Sequence, residues 1–245
     1  MTKIHWTETT HPFITYTKDL VNSELQSIGD EMECEENTIN IEVEEHPDGG
    51  DCLPSTTTYT IKLGLPYLSF IWGVCANLYS HLYHGRMTEP CGFRQIEQIY
   101  KYAVFSSLAH ELGHRLLNHN EAPNIDNEQA ADEFAFKYIC ASTSEYSFLG
   151  ALADLSSLLL LDVILHRSLN TQYKNHPTTL SRIEALLNTY ESRNFTDTEK
   201  EAIKYVFCIL ERVHRRIAKE KQKYTKIQAL TTHDWEGPLD QLDEY

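Results

Sequence analysis

Two hydrophobic periods divide this chain. Residues 1–30 read as a lead-in and a short helix. The stretch TINIEVEE then sets Ile39, Ile41 and Val43 on one side and polar residues on the other, the period of two that marks a half-buried strand. The turn-forming stretch HPDGGDCLPS follows, and TTYTIKLG alternates Tyr59, Ile61 and Leu63 in the same way. These two strands are expected to form a β-hairpin near residues 38–64. From Leu65 onward the period becomes that of a helix. FRQIEQIYKYAVFSSLAHELGHRLLNH has no proline and repeats its apolar residues at helical spacing, ending near residues 118–120 with Pro123 beyond. Another helix is expected from Asp126, where DNEQ offers an N-cap with glutamine three residues on. A further one follows Pro177, and a last one starts near Thr198, where TEKE has capping-box form. Ile203, Val206, Ile209, Leu210, Val213 and Ile217 give that last helix an apolar stripe. The fold class is therefore α+β, mostly α: packed helices beside a small antiparallel sheet. Residues 1–230 read as one domain, without internal repeats, and residues 231–245 as a loose acidic tail.

Two apolar stretches need separating from membrane spans. Between Lys62 and Arg86 there is no Lys, Arg, Asp or Glu, but Pro66, Ser69, Asn77, Ser80, His81 and His84 interrupt the run. In GALADLSSLLLLDVIL, Asp154 and Asp162 would be costly in lipid. Both read as core helices, and no stable membrane span is expected. A net charge of −15 argues against nucleic acid or an anionic membrane as a partner held by bulk electrostatics. Asp30 to Asp51 holds ten acids and no Lys or Arg, a solvated face. The six cysteines are scattered without a C-x-x-C pair, which suits reduced thiols. The first residues, MTKIHWTETTHPF, lack the apolar stretch of a signal peptide, so a cytoplasmic location is the expectation.

The chemistry concentrates in HELGH. Positions i and i+4 of a helix share a face about 6 Å apart along the axis, so His110 and His114 can aim both rings at one point. Glu111 is turned about 100° away, too far to share that ligand direction but within reach of a water at the same point. This division of labour makes H-E-x-x-H a metalloprotease signature: two zinc ligands and a general base. A catalytic zinc usually has three protein ligands and an open position. His119 is one candidate for the third, although a polar helix end suits it better. Glu128 and Asp132 are stronger candidates, because they share a face of the next helix and the short turn favours antiparallel neighbours. Glu128 is expected to complete the metal set, with Asp132 accepting the second N–H of a ligating histidine; the reverse assignment stays open. Gly113 either admits a neighbouring backbone or is simply tolerated. His81 and His84 share a helical face but have no acidic partner nearby in sequence.

HELGH followed by NEQAAD resembles the gluzincin metallopeptidases, whose pattern is H-E-x-x-H and then E-x-x-A-D. NHPTTLSRIEAL further on looks like the H-P-x-x-x-x-R-I segment of the CAAX-protease and HtpX-like zinc peptidases. The soluble Lit-type phage-exclusion peptidases and the ImmA-type regulatory peptidases are similar in size and motif. The likeness covers about residues 95–190. Lacking the membrane helices of the CAAX and HtpX members, the chain fits a soluble relative better. The resemblance implies a zincin-like core, one Zn2+ ion and an intracellular protein or peptide substrate. It also draws in His176 and Arg182. Either could donate to the oxyanion that develops on the scissile carbonyl, and Arg182 could instead clamp Asp132. The expected activity is zinc-dependent endopeptidase, with Glu111, His176 and Arg182 catalytic and TTYTIKLG the edge strand that pairs with substrate. Two alternatives stay open: a non-catalytic zinc-binding regulatory protein, and a zinc hydrolase of a small amide.

Overall fold

The computed structural model describes residues 3–31, 38–45, 54–56, 60–83, 90–117, 119, 124–164, 177–191 and 194–209. His84, His176 and the acidic tail at 231–245 lie outside them. Strand β1 (Lys3–Trp6) leads into α1 (Pro12–Glu31), then β2 (Thr38–Glu44), β3 (Ser55–Thr56) and β4 (Thr60–Gly64). Helices α2 (Leu65–Leu82), α3 (Pro90–Leu116), α4 (Ile125–Ala141), α5 (Tyr146–Ile164) and α6 (Thr179–Glu191) follow. Residues 197–209 form a further helix, α7. The molecule is mostly helical, with one mixed four-stranded sheet in the order β1-β2-β4-β3.

The alternation seen in sequence sorts the two faces of that sheet. Ile4, Trp6, Ile39, Ile41, Ile61 and Leu63 all point into the core. On β2 and β4, Lys62 reaches Glu44 at 2.9 Å and Glu42 at 3.9 Å. The expected hairpin between β2 and β4 does not form. Those strands pair in parallel, Ile41 opposite Ile61 and Val43 opposite Leu63. The antiparallel partner of β4 is β3, with Thr56 opposite Ile61. Alternation dictates which face is buried, and either strand direction buries the same residues, so the pattern does not carry direction. The connection between β2 and β4 is long enough to hold β3 and return β4 between its neighbours. β4, the described part of TTYTIKLG, is therefore an inner strand; the edges are β1 and β3. β1, only four residues long, is too short to show a period in the sequence. It pairs in parallel with β2 across α1, the helical crossover that parallel neighbours require.

α3 is the axis of the molecule and packs against α1, α2, α4 and α5 while touching β3 and β4. Its buried residues include Ile96, Ile99, Tyr100, Ala103, Val104, Leu108 and Leu112. α5 crosses it at Gly150, where an added Cβ would collide with Tyr102 Cβ and fall 2.7 Å from the Ala103 nitrogen. Only glycine lets the two backbones come that close. Of the two stretches that resemble membrane spans, α2 supplies core residues on one face, whereas α5 is buried on all sides from Ser147 to Ser157. Among the described residues no helix is long and apolar enough to cross a membrane.

Helix starts differ by two residues from those expected. α4 is capped by Asn124, whose side chain accepts from the Asn127 N–H at 2.9 Å, rather than by Asp126. At α7 the capping box is Thr196 with Glu199, rather than Thr198 with Glu201: Glu199 accepts from the Thr196 N–H at 2.7 Å, and the Thr196 hydroxyl accepts in return at 3.2 Å. In both places the sequence offers two overlapping caps of the same chemistry, which local pattern does not separate.

Candidate metal centre

HELGH ends α3, and the first two turns of α4 face it. What lets α4 come close is Gly113. A Cβ there would meet Ala131 Cα at 3.1 Å, the Ala131 carbonyl at 3.3 Å and Phe134 Cδ1 at 3.2 Å. The helix tolerates Gly113, up to about 1 kcal/mol less favourable than alanine, because the bare backbone seats α4. Ala131 lies three residues after Glu128 and one before Asp132, so this contact presents both carboxylates to the histidines.

His110 Nε2 and His114 Nε2 are 3.1 Å apart. Glu128 Oε2 lies 3.4 Å from the first and Oε1 3.4 Å from the second. A tetrahedral ion bound at about 2.0–2.1 Å separates its ligand atoms by roughly 3.3–3.4 Å. Each ring nitrogen thus faces a different oxygen of the one carboxylate at about such a separation, and the donor set, two imidazoles and a carboxylate, is one that a divalent ion of zinc type accepts. Two ring nitrogens turned toward each other also need a cation or proton between them. His110, His114 and Glu128 could therefore hold a metal ion, all ligand atoms lying within 4.8 Å of one another. Glu128 is buried, as are His110 and Glu111.

Behind the triangle stands an ion pair. Asp132 Oδ1 is 2.9 Å from His110 Nδ1. Arg182, four residues after the Thr178 cap of α6, grips Asp132 through Nε at 2.9 Å and a terminal nitrogen at 2.7 Å. The same guanidinium lies 3.3 Å from His110 Nδ1. Of the two roles weighed for Arg182, the clamp on Asp132 is the geometry found. Burial would raise the Asp132 pKa, but Arg182 and His110 outweigh it and hold it at about 2. For His110 in the metal-free state, burial and then Arg182 act against the charged ring. Hydrogen bonds to Asp132 and Glu128 prevail and lift its pKa to about 9.

Glu111 points to another neighbour. The Thr56 hydroxyl on β3 donates to its Oε2 and also lies 3.3 Å from the Glu111 backbone carbonyl. The sheet edge therefore meets the H-E-x-x-H helix at the glutamate. Nothing in the sequence pointed to Thr56, which lies 55 positions away. His119 is outside the metal triangle; its Nδ1 is 3.1 Å from His114 Nδ1. Burial, then His114, lower its pKa. His81 lies 3.6 Å from Glu201 and stacks on Tyr205, away from the centre. A second polar node has no motif in the sequence. Asp154 Oδ1 on α5 accepts from Ser107 at 2.5 Å and Tyr67 at 2.9 Å. An aspartate within an apolar helical run was the available signal, since such a group must find partners when buried.

No curated protein sequence and no solved structure matches the chain. One family model does, Peptidase U49, over residues 68–203. That span runs from α2 into α7 and contains His110, Glu111, His114, Glu128, Asp132 and Arg182, while the sheet and Thr56 precede it. It is more than half of the chain, so a peptidase assignment rests on the helical core as well as on the short motif: the chain belongs to the Peptidase U49 family.

Proposed function

We propose that the chain is a zinc-dependent endopeptidase acting on an intracellular protein, with Glu111 as the general base. The observation that carries this is the triangle of His110, His114 and Glu128, with Glu111 next in sequence to one ligand and buried beside the sheet edge. A zinc ion held there would polarise the scissile carbonyl and bring the pKa of a water toward about 7.

The chain's own residues supply the rest. Glu111 takes one proton from the attacking water at a carboxylate oxygen. It hands that proton to the amide nitrogen as the C–N bond breaks, so the glutamate ends as it began. Thr56 donates to Oε2 and leaves Oε1 for the proton. Asp132 holds the His110 ring by its second nitrogen, and Arg182 holds Asp132. With Arg182 so engaged, the oxyanion donor of this proposal is His176, in the segment that leads into α6. A substrate strand added to the outer side of β3 would pass Thr56 and reach Glu111, its main chain supplying the hydrogen bonds.

The test compares new protein N-termini in cells expressing the wild type or Glu111→Gln. The substitution keeps the metal and removes the base, so cleavage should fall by about a hundredfold or more. Identical sets of N-termini would contradict the reading.

A further inference from the structure

A metal-binding imidazole uses one nitrogen for the ion and carries hydrogen on the other, and the partner of that hydrogen fixes tautomer and ring plane. His110 has such a partner in Asp132. For His114 the position is held by another ring. Its Nδ1 lies 3.1 Å from His119 Nδ1, the ring centroids are 5.3 Å apart and the planes cross at 70°. Since His114 turns Nε2 toward His110 and Glu128, its own hydrogen sits on Nδ1 and must be donated. His119 then offers the lone pair of Nδ1 and carries its hydrogen on Nε2.

The backbone places this partner. The His119 N–H donates to the His114 carbonyl at 2.9 Å, and the Leu117 N–H donates to the Gly113 carbonyl at 2.9 Å. The turn that closes α3 thus delivers residue 119 to the ring of residue 114. Charge explains why an imidazole suits this place. Glu111, Glu128 and Asp132 bring three negative charges; a divalent ion and Arg182 bring three positive ones. A fourth carboxylate against His114 would leave a buried centre with net charge, which is expensive. A neutral ring accepts the hydrogen and adds none.

We propose that His119 is the positioning residue for His114, accepting its Nδ1 hydrogen and holding the ring for metal binding. This rests on the metal-centre reading above, and it needs no knowledge of the substrate. The test is the zinc dissociation constant of the full chain at neutral pH, by competition with a chromophoric chelator. It is run for the wild type, His110→Ala, His119→Ala and His119→Asn, with thermal unfolding of the metal-free proteins alongside. His119→Ala should weaken zinc about tenfold or more, in the range for such outer partners, with an unfolding temperature close to wild type. His119→Asn should recover most of the loss, because its Oδ1 occupies the place of the histidine Nδ1. Undiminished affinity in His119→Ala overturns the proposal and leaves the metal centre standing. So does an asparagine variant as weak as alanine, or a loss that follows unfolding temperature. A wild type whose zinc affinity is untouched by His110→Ala overturns the metal centre, and the proposal with it.

Discussion

Asp132 and Asp154 are buried alike, 3% and 4% exposed, in helices packed against α3, and their surroundings drive their ionisation in opposite directions. Burial penalises both carboxylates. At Asp132 a guanidinium and a histidine repay it, and the pKa falls to about 2. At Asp154 the direct partners are hydroxyls, those of Ser107, Tyr67 and Ser106, and Arg182 acts only from further off. Burial prevails there and the pKa rises. Hydroxyls can satisfy a buried acid without ionising it, whereas a neighbouring fixed cation keeps it charged. The first arrangement prepares a histidine for a metal. The second joins α2, α3 and α5 through Tyr67, Ser107 and Asp154 and belongs to the architecture.

Breaking each arrangement should give different losses. Asp132→Ala removes the support of His110 and strands Arg182. Zinc affinity should fall about 10–100-fold, and metal-free stability by about 3 kcal/mol, the cost of an uncompensated buried charge. Chelator competition and denaturant unfolding read the two effects. Asp154→Leu should cost about 1–3 kcal/mol by removing the acceptor shared by the buried hydroxyls of Ser107, Tyr67 and Ser106, while leaving zinc affinity within about twofold, since no metal ligand leans on it. A zinc loss as large as that of Asp132→Ala would erase the distinction. Gly113→Ala sharpens the comparison from a third side. Its gain in helix propensity, up to about 1 kcal/mol, offsets the crowding against Ala131, commonly about 1–3 kcal/mol. Stability should therefore change little, yet α4 must shift and zinc affinity should drop several-fold.

The smallest effect is in pH dependence, measured on metal-free protein. A carboxylate whose folded pKa is depressed stabilises the fold above its unfolded value near 3.9 and loses that contribution as pH falls toward the folded one. Asp132 therefore supports the fold above about pH 4 and stops doing so near pH 2. Asp154, raised on folding, does the reverse: it destabilises increasingly as pH climbs above about 4. Asp132→Asn should thus be penalised most above pH 4 and least near pH 2. Asp154→Asn should be penalised least at the higher pH. Unfolding midpoints across pH 2–7 would show whether the two curves part in this way.

Much of this was legible in sequence where geometry is local. Helical spacing places His110 with His114 and Glu128 with Asp132, so each pair needs only one helix to bring it together. The long apolar periods likewise mark α2, α3 and α5 as core. What sequence did not carry is the relation between elements. Strand direction was invisible because either direction buries Ile39, Ile41, Ile61 and Leu63, and so the sheet edge was misplaced. Thr56 reaches Glu111 only because β3 lands beside α3, a long-range fact with no local pattern. Arg182 offered two roles in sequence, and only its position against Asp132 separates them. Gly113 carries two readings in sequence, and only the backbone of Ala131 against it distinguishes them.

The account depends on one ion held by His110, His114 and Glu128. The direct measurement is anomalous X-ray diffraction at the zinc edge from crystals of the full chain grown with zinc. The account predicts one strong peak about 2 Å from both Nε2 atoms and from a Glu128 oxygen, absent in crystals of His114→Ala. A zinc peak elsewhere, or none at this triangle in a protein whose helices sit as described, would contradict it.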